Sequence, residues 1–183
     1  MSVIDLSKMT QYRIMQRSPA TLVEQSFPQP LKLPARGTVE QIEEGRQWMP
    51  AFNSEGLLAA IVQDATTAEV LMLGWTNQHA LRHTIETGYA HYWSRSRRQL
   101  WRKGEHSGQA QRVAAILIDA DQDCLLFKVH LTGGASCHVG YRSCFFRQLE
   151  WHAHRTDGVL RFLETTKVYD PATVYGNATT ETS

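Results

Sequence analysis

The chain has 183 residues, 42% hydrophobic and 20% charged, with a net charge of +1 at pH 7. This size and composition predict one compact domain with extra terminal segments, and the near-neutral charge argues against a nucleic-acid-binding protein, which usually carries a basic surface. The chain has no run of about 18 apolar residues, no secretory signal and only three cysteines, so we expect a cytoplasmic protein without a membrane partner.

The two ends of the chain differ in composition from its middle. Residues 1–36 hold four of the six prolines among polar residues, which predicts an N-terminal extension that packs on the core or on a partner subunit. Residues 157–183 are polar and rich in threonine, which predicts a tail with a turn at 169–171 and mobile last residues. We therefore expect the functional domain to span 37–156.

Periodicity and capping residues predict an α+β domain rich in strands. Thr38 and Gln41 form a capping-box pattern that opens a short helix. The other predicted elements are a helix at 77–87, closed by Gly88 as its left-handed cap, and strands at 57–62, 70–75, 91–94, 111–118, 125–131 and 144–149. Strand runs outnumber helices and do not alternate regularly with them, so we expect mostly antiparallel strands with a few helices packed to one side.

Basic and aromatic side chains are concentrated between residues 93 and 103. The basic members are Arg95, Arg97, Arg98, Arg102 and Lys103, and the aromatic ones are Trp93 and Trp101. Forked guanidinium donors suit phosphate groups, which points to a phosphorylated ligand. The same residues also fit a solvated hairpin, or a nucleic-acid module whose aromatics stack on bases.

Three carboxylates recur at every second position between two predicted strands. If the segment is extended, Asp119, Asp121 and Asp123 share one face, where their repulsion is costly without a cation. Carboxylate oxygens on a turn suit Mg²⁺ or Ca²⁺. The spacing does not fit an EF-hand loop, which is longer and needs an internal glycine. A solvated acidic turn is the alternative, since aspartate is a common turn residue.

Two cysteines, Cys137 and Cys144, flank a glycine-containing loop that can bring both sulfurs onto one ion. A catalytic zinc site needs at least three protein ligands, so another residue has to contribute. The nearby candidates are His138, His106, His130 and Cys124. Buried structural thiols in a reducing compartment are the alternative interpretation.

Several uncommon motifs now occur together in one order. They are 57–64 (LLAAIVQD), 69–73 (EVLML), Ser94 to Arg97 (SRSR), Leu100 to Glu105 (LWRKGE), Ser107-Gly108, the acidic turn, and Cys137 to Phe145 (CHVGYRSCF). The stretch from Gly56 to Arg147 thereby resembles phosphoribosyl-AMP cyclohydrolase, the family of hydrolases that open the adenine ring in histidine biosynthesis. The resemblance covers about half of the chain.

The resemblance implies an intertwined homodimer with metal ligands shared across its interface. It implies Mg²⁺ on Asp119, Asp121 and Asp123, and Zn²⁺ on three cysteines, of which Cys137 and Cys144 match two. It also implies a small phosphorylated nucleotide as substrate and no nucleic-acid partner. The residues expected to bind that substrate are Arg95, Arg97, Trp101, Arg102, Lys103, Glu105 and Ser107.

The third zinc ligand of the family pattern is missing here. Where the family carries a cysteine between the first two aspartates, this chain has Ala120, whose methyl group cannot ligate a metal. His106 replaces a small hydroxyl residue of the pattern, and an imidazole is a good zinc ligand. We therefore expect His106 as a possible substitute, with Cys124 as a less direct one. Another transition metal in place of zinc is also consistent with this change.

Opening the adenine ring requires water to add to C6, N1 to accept a proton and the C6–N1 bond to break. His138, next to Cys137, is the predicted general acid or base because imidazole titrates near neutral pH. A structural histidine in a glycine-rich loop is the alternative. The change at Ala120 also leaves open a non-catalytic, metal-responsive or nucleotide-binding paralogue.

Overall fold

The computed structural model describes residues 31–151 and 158–176. The strands in these ranges are β1 (Leu58–Asp64), β2 (Val70–Thr76), β3 (His91–Ser94), β4 (Gln99–Arg102), β5 (Gln111–Ile118), β6 (Cys124–Leu131), β7 (Arg147–Glu150) and β8 (Val159–Phe162). The helices are α1 (Val39–Glu43), α2 (Gln78–Thr87) and α3 (Pro171–Tyr175). The predicted α+β class with mostly antiparallel strands is confirmed.

The central sheet has four strands in the order β2-β1-β6-β5, and two hairpins, β3–β4 and β7–β8, form separate ribbons. β1 pairs with β6 in parallel, while the β1–β2 and β5–β6 pairs are antiparallel. The parallel pair arises because the chain leaves the sheet after β2, forms α2 and the β3–β4 hairpin, and returns through β5. That excursion is long enough for the crossover that parallel strands require.

One face of the central sheet forms the core. On β6, Leu125, Phe127 and Val129 are buried while the intervening residues are only partly buried. β1 alternates in the same way. This period of two follows from the pleat of a strand. The buried aliphatic and aromatic side chains of the sheet therefore lie on the face that α2 and β3 cover.

Helix α2 and strand β3 close the core over β2. Asn77 caps the helix by accepting a hydrogen bond from the Ala80 amide, and Gly88 ends it at φ +72°, as predicted. Tyr92 of β3 is fully buried. Gly74 makes room for it, since a Cβ at that position would lie 2.6 Å from the Tyr92 ring. The glycine in β2 is thus explained by a close ring contact.

The opposite face of the sheet carries an apolar row. Leu73, Ile61, Leu126 and Leu117 stand side by side on the four strands, in the register Leu73–Ile61–Leu126–Leu117. Leu73 is exposed and the other three are partly exposed. Among the described helices and strands, those that contact the central sheet most are α2 and β3, which lie on its core face. An apolar row on the other face is costly to leave in water.

Three elements differ from the sequence prediction. The strand predicted at 144–149 begins only at Arg147, because the Cys144 amide donates to the Leu71 carbonyl, which keeps 144–146 in the loop. β4 and β8 were not predicted as strands. The predicted turn at 169–171 is the start of α3, where Asp170 is the cap and proline follows it.

The predicted domain boundaries remain predictions. The Thr38–Gln41 capping box is confirmed at the start of α1. Most of the predicted N-terminal extension, residues 1–30, lies outside the described residues, as do 152–157 and the last seven residues of the predicted tail. Within the tail, β8 pairs with β7, so residues 159–162 belong to a hairpin with residues before the gap.

No helix of the described ranges is both long and apolar enough to cross a membrane.

Candidate active site

The three aspartates lie on the turn between β5 and β6, as predicted. The turn is tight rather than extended, because Gln122 adopts a positive φ of 60° and the Cys124 amide donates to Asp119 Oδ1 at 2.9 Å. One oxygen from each of Asp119, Asp121 and Asp123 lies within 4.8 Å of the others, and all three residues are exposed. The chain reversal, not strand alternation, brings the carboxylates together.

Buried polar groups hold this turn in place. The Gln122 side chain points inward, where its Oε1 accepts from the Met49 amide at 2.6 Å and its Nε2 donates to the carbonyl of Ile42 at 2.9 Å. Arg36 donates to the Asp121 carbonyl at 2.9 Å. Hydrogen bonds from segment 36–49 therefore hold the backbone of the turn that carries the three carboxylates.

Mutual repulsion is visible in the acidic turn. The negative charge of Asp121, together with a hydrogen bond to Asp119, raises the pKa of Asp123. A divalent cation would relieve this repulsion and match hard oxygen donors. Among the described residues, this is the one set of three His, Cys, Asp or Glu side chains whose ligand atoms all lie within 4.8 Å of one another. These donors fit Mg²⁺.

The two predicted zinc cysteines meet at the other end of the sheet, in the loop after β6. The Cys137 amide donates to the Tyr141 carbonyl at 3.1 Å, and the Gly140 amide returns to the Cys137 carbonyl, so residues 137–141 form a tight turn. Gly140 has a φ of 98°, and a Cβ there would meet the Tyr169 carbonyl. This turn brings Cys137, which is buried, to exposed Cys144.

The two thiols shift each other's pKa in opposite directions. A hydrogen bond from Cys144 lowers the pKa of Cys137 to about 6. The same hydrogen bond raises the pKa of Cys144. A paired thiolate and thiol have the soft donor atoms that zinc prefers. The pair fits a zinc ion provided that a further ligand is supplied, because no third described His, Cys, Asp or Glu atom of the same subunit completes a three-ligand cluster here.

A buried polar network lies beneath the thiol loop. Lys103, which is 9% exposed, donates to the Ser136 carbonyl, and burial lowers the pKa of its amine. Gln111 donates to Ser136 Oγ at 2.9 Å and accepts from the Tyr92 hydroxyl at 2.6 Å. Because buried polar groups need hydrogen-bond partners, this network holds Ser136, the residue next to Cys137, in place. The network ties the thiol loop to β3, to β5 and to the residue that follows β4.

Arg142, inside the motif that carries the thiols, binds the β1–β2 turn. Its Nη2 donates to Asp64 and its Nε to Glu69, both at 2.7 Å. Burial of Asp64 opposes its ionisation, but amide donors of Thr66 and Thr67 and the Arg142 guanidinium outweigh this and lower its pKa. A two-carboxylate clamp therefore anchors the segment between Cys137 and Cys144.

The predicted histidines lie beside the thiol loop and face solvent. His138 is exposed, and its carbonyl accepts from the Tyr169 hydroxyl at 3.2 Å. His106 is exposed in the loop after β4. That loop contacts the thiol loop through Gln109, whose Oε1 accepts from the Ala135 amide at 3.0 Å. Their accessible rings are compatible with the predicted roles, which remain predictions.

The acidic turn and the thiol pair lie at opposite ends of the sheet in one subunit. Cys124, beside the aspartates, pairs with Ala59, whose other neighbour is Trp75. The Cys144 amide donates to the carbonyl of Leu71 on β2. Leu71 is four positions from Trp75 along that strand, which is about 13 Å at ~3.3 Å per residue. Cys124 of the same subunit therefore does not join the thiol pair. This agrees with the sequence-based expectation that it would need a different strand path.

The predicted substrate-binding residues are spread along the β3–β4 hairpin. Arg95 and Arg97 are exposed at its tip, where Arg95 lies 5.0 Å from the centre of the Trp75 ring. At its base, Arg102 lies against Tyr89 at 5.7 Å. Trp101 packs on the core, with its ring 4.9 Å from that of Tyr92. Glu105 is exposed and Ser107 Oγ accepts from the Gln109 amide.

Sequence reasoning did not identify the residues that support the site. Gln111 is buried at the start of β5, where the other buried positions, Val113 and Ile116, are apolar, which marks it as a buried amide in need of partners. Ser136 precedes Cys137 directly. Asp64 and Glu69 belong to the quoted motifs, but only the structure pairs them with Arg142.

Comparisons with known proteins agree with this architecture. A family model described as phosphoribosyl-AMP cyclohydrolase matches residues 72–146. A protein of that name from Brucella canis is 55% identical over 109 residues, which cover 59% of this chain and 78% of the relative. One from Methanococcoides burtonii is 51% identical over 124 residues, covering 68% and 93%. One from Caulobacter sp. (strain K31) is 54% identical over 110 residues, covering 60% and 82%. The chain belongs to the phosphoribosyl-AMP cyclohydrolase family.

Proposed function

We propose that this chain hydrolyses phosphoribosyl-AMP at the C6–N1 bond of its adenine ring, with Mg²⁺ on the acidic turn and zinc on the thiol pair. The assignment of the reaction rests on family membership. The placement of the site is supported by two donor sets of different character, three carboxylates gathered on the turn between β5 and β6 and two thiols paired in the loop after β6.

The residues of this chain divide the work of ring opening. Cys137 and Cys144 would hold zinc, which supplies Lewis acidity toward the attacking water. His138 is exposed beside Cys137 and is proposed to hold or deliver the proton that N1 must accept as the C6–N1 bond breaks. The Asp119, Asp121 and Asp123 carboxylates would hold Mg²⁺ near a phosphate of the substrate.

We propose a homodimer in which the acidic turn of one subunit approaches the thiol pair of its partner. Two observations support this arrangement. The donor sets lie at opposite ends of the sheet within one subunit. The apolar row Leu73–Ile61–Leu126–Leu117 leaves hydrophobic surface for a second copy to cover.

An assay of ring opening with purified protein tests the proposed function. Metal-depleted protein should be inactive, and zinc together with Mg²⁺ should restore turnover, because each donor set is assigned one ion. Asp121→Asn should raise the Mg²⁺ concentration required without shifting the unfolding temperature, since Asp121 is exposed. Binding of both metals and of nucleotide without turnover would instead identify a non-catalytic member of the family, which is the alternative that Ala120 suggests.

The arginines of the β3–β4 hairpin are proposed to bind substrate phosphates. Arg97→Ala should raise KM with little change in kcat, because a charge-assisted hydrogen bond contributes about 1.5–3 kcal/mol. The control is Arg112→Ala, an exposed arginine on β5. The increase in KM should shrink for a substrate that lacks one phosphate. Equal kinetics of Arg97→Ala and wild type on both substrates would assign this side chain a structural role.

Because Ala120 cannot ligate zinc, another residue has to supply the third zinc ligand. We propose His106, ahead of Cys124 and His138. His106→Ala should lower the zinc content of the purified protein, whereas Ala120→Cys should slow zinc loss to a chelator, because a thiolate is restored at the family position. Cys124→Ser should leave the zinc content unchanged. If Cys124→Ser loses zinc and His106→Ala keeps it, the third ligand is Cys124, reaching the thiol pair from the partner's acidic turn.

A further inference from the structure

A histidine pair on α2 is used by no step of the proposed reaction. His79 and His83 are one helical turn apart, and their Nε2 atoms approach to 3.0 Å. The two rings are 4.6 Å apart, and the ring of His91 on β3 lies 5.5 Å from that of His83. Both helical histidines are only partly buried.

We propose that His79 and His83 form a second transition-metal site, specific for a cation such as Ni²⁺ or Zn²⁺. Two nitrogens bound to one such ion at about 2.0–2.1 Å lie roughly 2.9–3.4 Å apart for bond angles of about 90–110°. The observed 3.0 Å falls in that range. The imidazole nitrogens are borderline donors that suit Ni²⁺ and Zn²⁺ rather than Mg²⁺.

The helix prepares the pair for a metal. Residues at i and i+4 share one face of a helix, so the chelate is already formed before binding. Burial, and then the neighbouring His83, lower the pKa of His79, which favours the neutral ring that a metal requires. Arg82, between them in sequence, is engaged by Glu86 at 2.6 Å, so its charge is partly compensated.

His91 supports the pair from the neighbouring strand. Its Nδ1 lies 2.8 Å from the Tyr89 carbonyl, so Nδ1 is the donor of this hydrogen bond. His91 is buried, and its own pKa is lowered by burial. Burial therefore disfavours a positive charge on the ring that lies beside His83, and Arg102, which is paired with His91 on β4, lies against the Tyr89 ring.

The proposal is tested by metal binding rather than by turnover, so its failure is distinct from failure of the proposed function. The protein is loaded with one equivalent of Zn²⁺ per subunit and with excess Mg²⁺, then titrated with Ni²⁺ by equilibrium dialysis. His79→Ala and His83→Ala should each weaken Ni²⁺ binding about tenfold or more, because the second ligand of a chelate acts at high effective concentration. Gln78→Ala, which changes a side chain of the same helix outside the histidine pair, should bind as the wild type does.

A second measurement locates the ion. In an NMR titration, paramagnetic Ni²⁺ should broaden the amide signals of α2 before those of β6. His83→Gln, which keeps a polar side chain of similar size, should lose this broadening while its thermal unfolding stays cooperative. Ni²⁺ affinity equal to wild type in both alanine variants, or broadening that spares α2, would show that the pair is only a hydrogen-bonded contact.

Discussion

Replacing Cys137 with serine should remove zinc from the protein and abolish ring opening. Zinc in a structural site contributes about 10–16 kcal/mol, so each ligand carries several kcal/mol, and loss of one thiolate should weaken zinc binding roughly a thousandfold or more. Cys144→Ser should have a similar effect, because the two thiols act as one hydrogen-bonded pair. Zinc content by elemental analysis and turnover at limiting zinc are the measurements.

The control for the thiol pair is Cys124→Ser. Cys124 lies at the other end of β6 and is only partly buried. We expect this variant to keep its zinc and its turnover. Cys137→Ser protein that retains full zinc content and full activity would instead assign the thiol pair a purely structural role.

Replacing Arg142 with alanine should destabilise the protein and weaken zinc retention together. The change breaks two hydrogen bonds to carboxylates and leaves the Asp64 side chain, which is 9% exposed, without its cation. Hydrogen bonds to charged groups contribute about 1.5–3 kcal/mol each, and partial exposure of Arg142 reduces that value, so we expect a loss of about 2 kcal/mol. Arg161→Ala, which breaks an exposed ion pair with Glu150, is the control.

The same clamp should be visible in the acid dependence of stability. Because the pKa of Asp64 is lower in the folded protein, its contribution is present above the pKa of an unfolded aspartate, about 3.9, and is lost as the pH falls through the folded value. Arg142→Ala should therefore flatten the decline in unfolding free energy below about pH 4. Parallel curves for wild type and variant would show that the backbone amides alone lower the pKa of Asp64.

Local patterns in the sequence were sufficient for most elements. The capping box at Thr38 and the left-handed Gly88 concern residues only a few positions apart, and both were predicted correctly. The acidic turn was placed correctly between two strands for the same reason. β4 and β8 were missed because their residues, QLWR and VLRF, show no clear strand pattern of their own, and each is defined by its partner across a two-stranded ribbon.

The family could also be predicted from the sequence, since its characteristic residues occur in short motifs with fixed spacing. The convergence of the carboxylates was expected from an extended strand but comes from a tight turn, which depends on the inward-facing Gln122 and its contacts with segment 42–49. Those partners are more than seventy positions away, and local spacing contains no information about them.

The sequence by itself determined the family, the place of the acidic turn and most of the secondary structure, because these depend on residue identity and short-range periodicity. Only the tertiary structure decided that Arg142 clamps the thiol loop to Asp64 and Glu69, that Lys103 is buried beneath that loop, and that the two donor sets lie at opposite ends of one sheet. The physical reason is that these contacts join residues distant in sequence, and their geometry follows from strand order and register, which β1 and β6 acquire only when the sheet assembles.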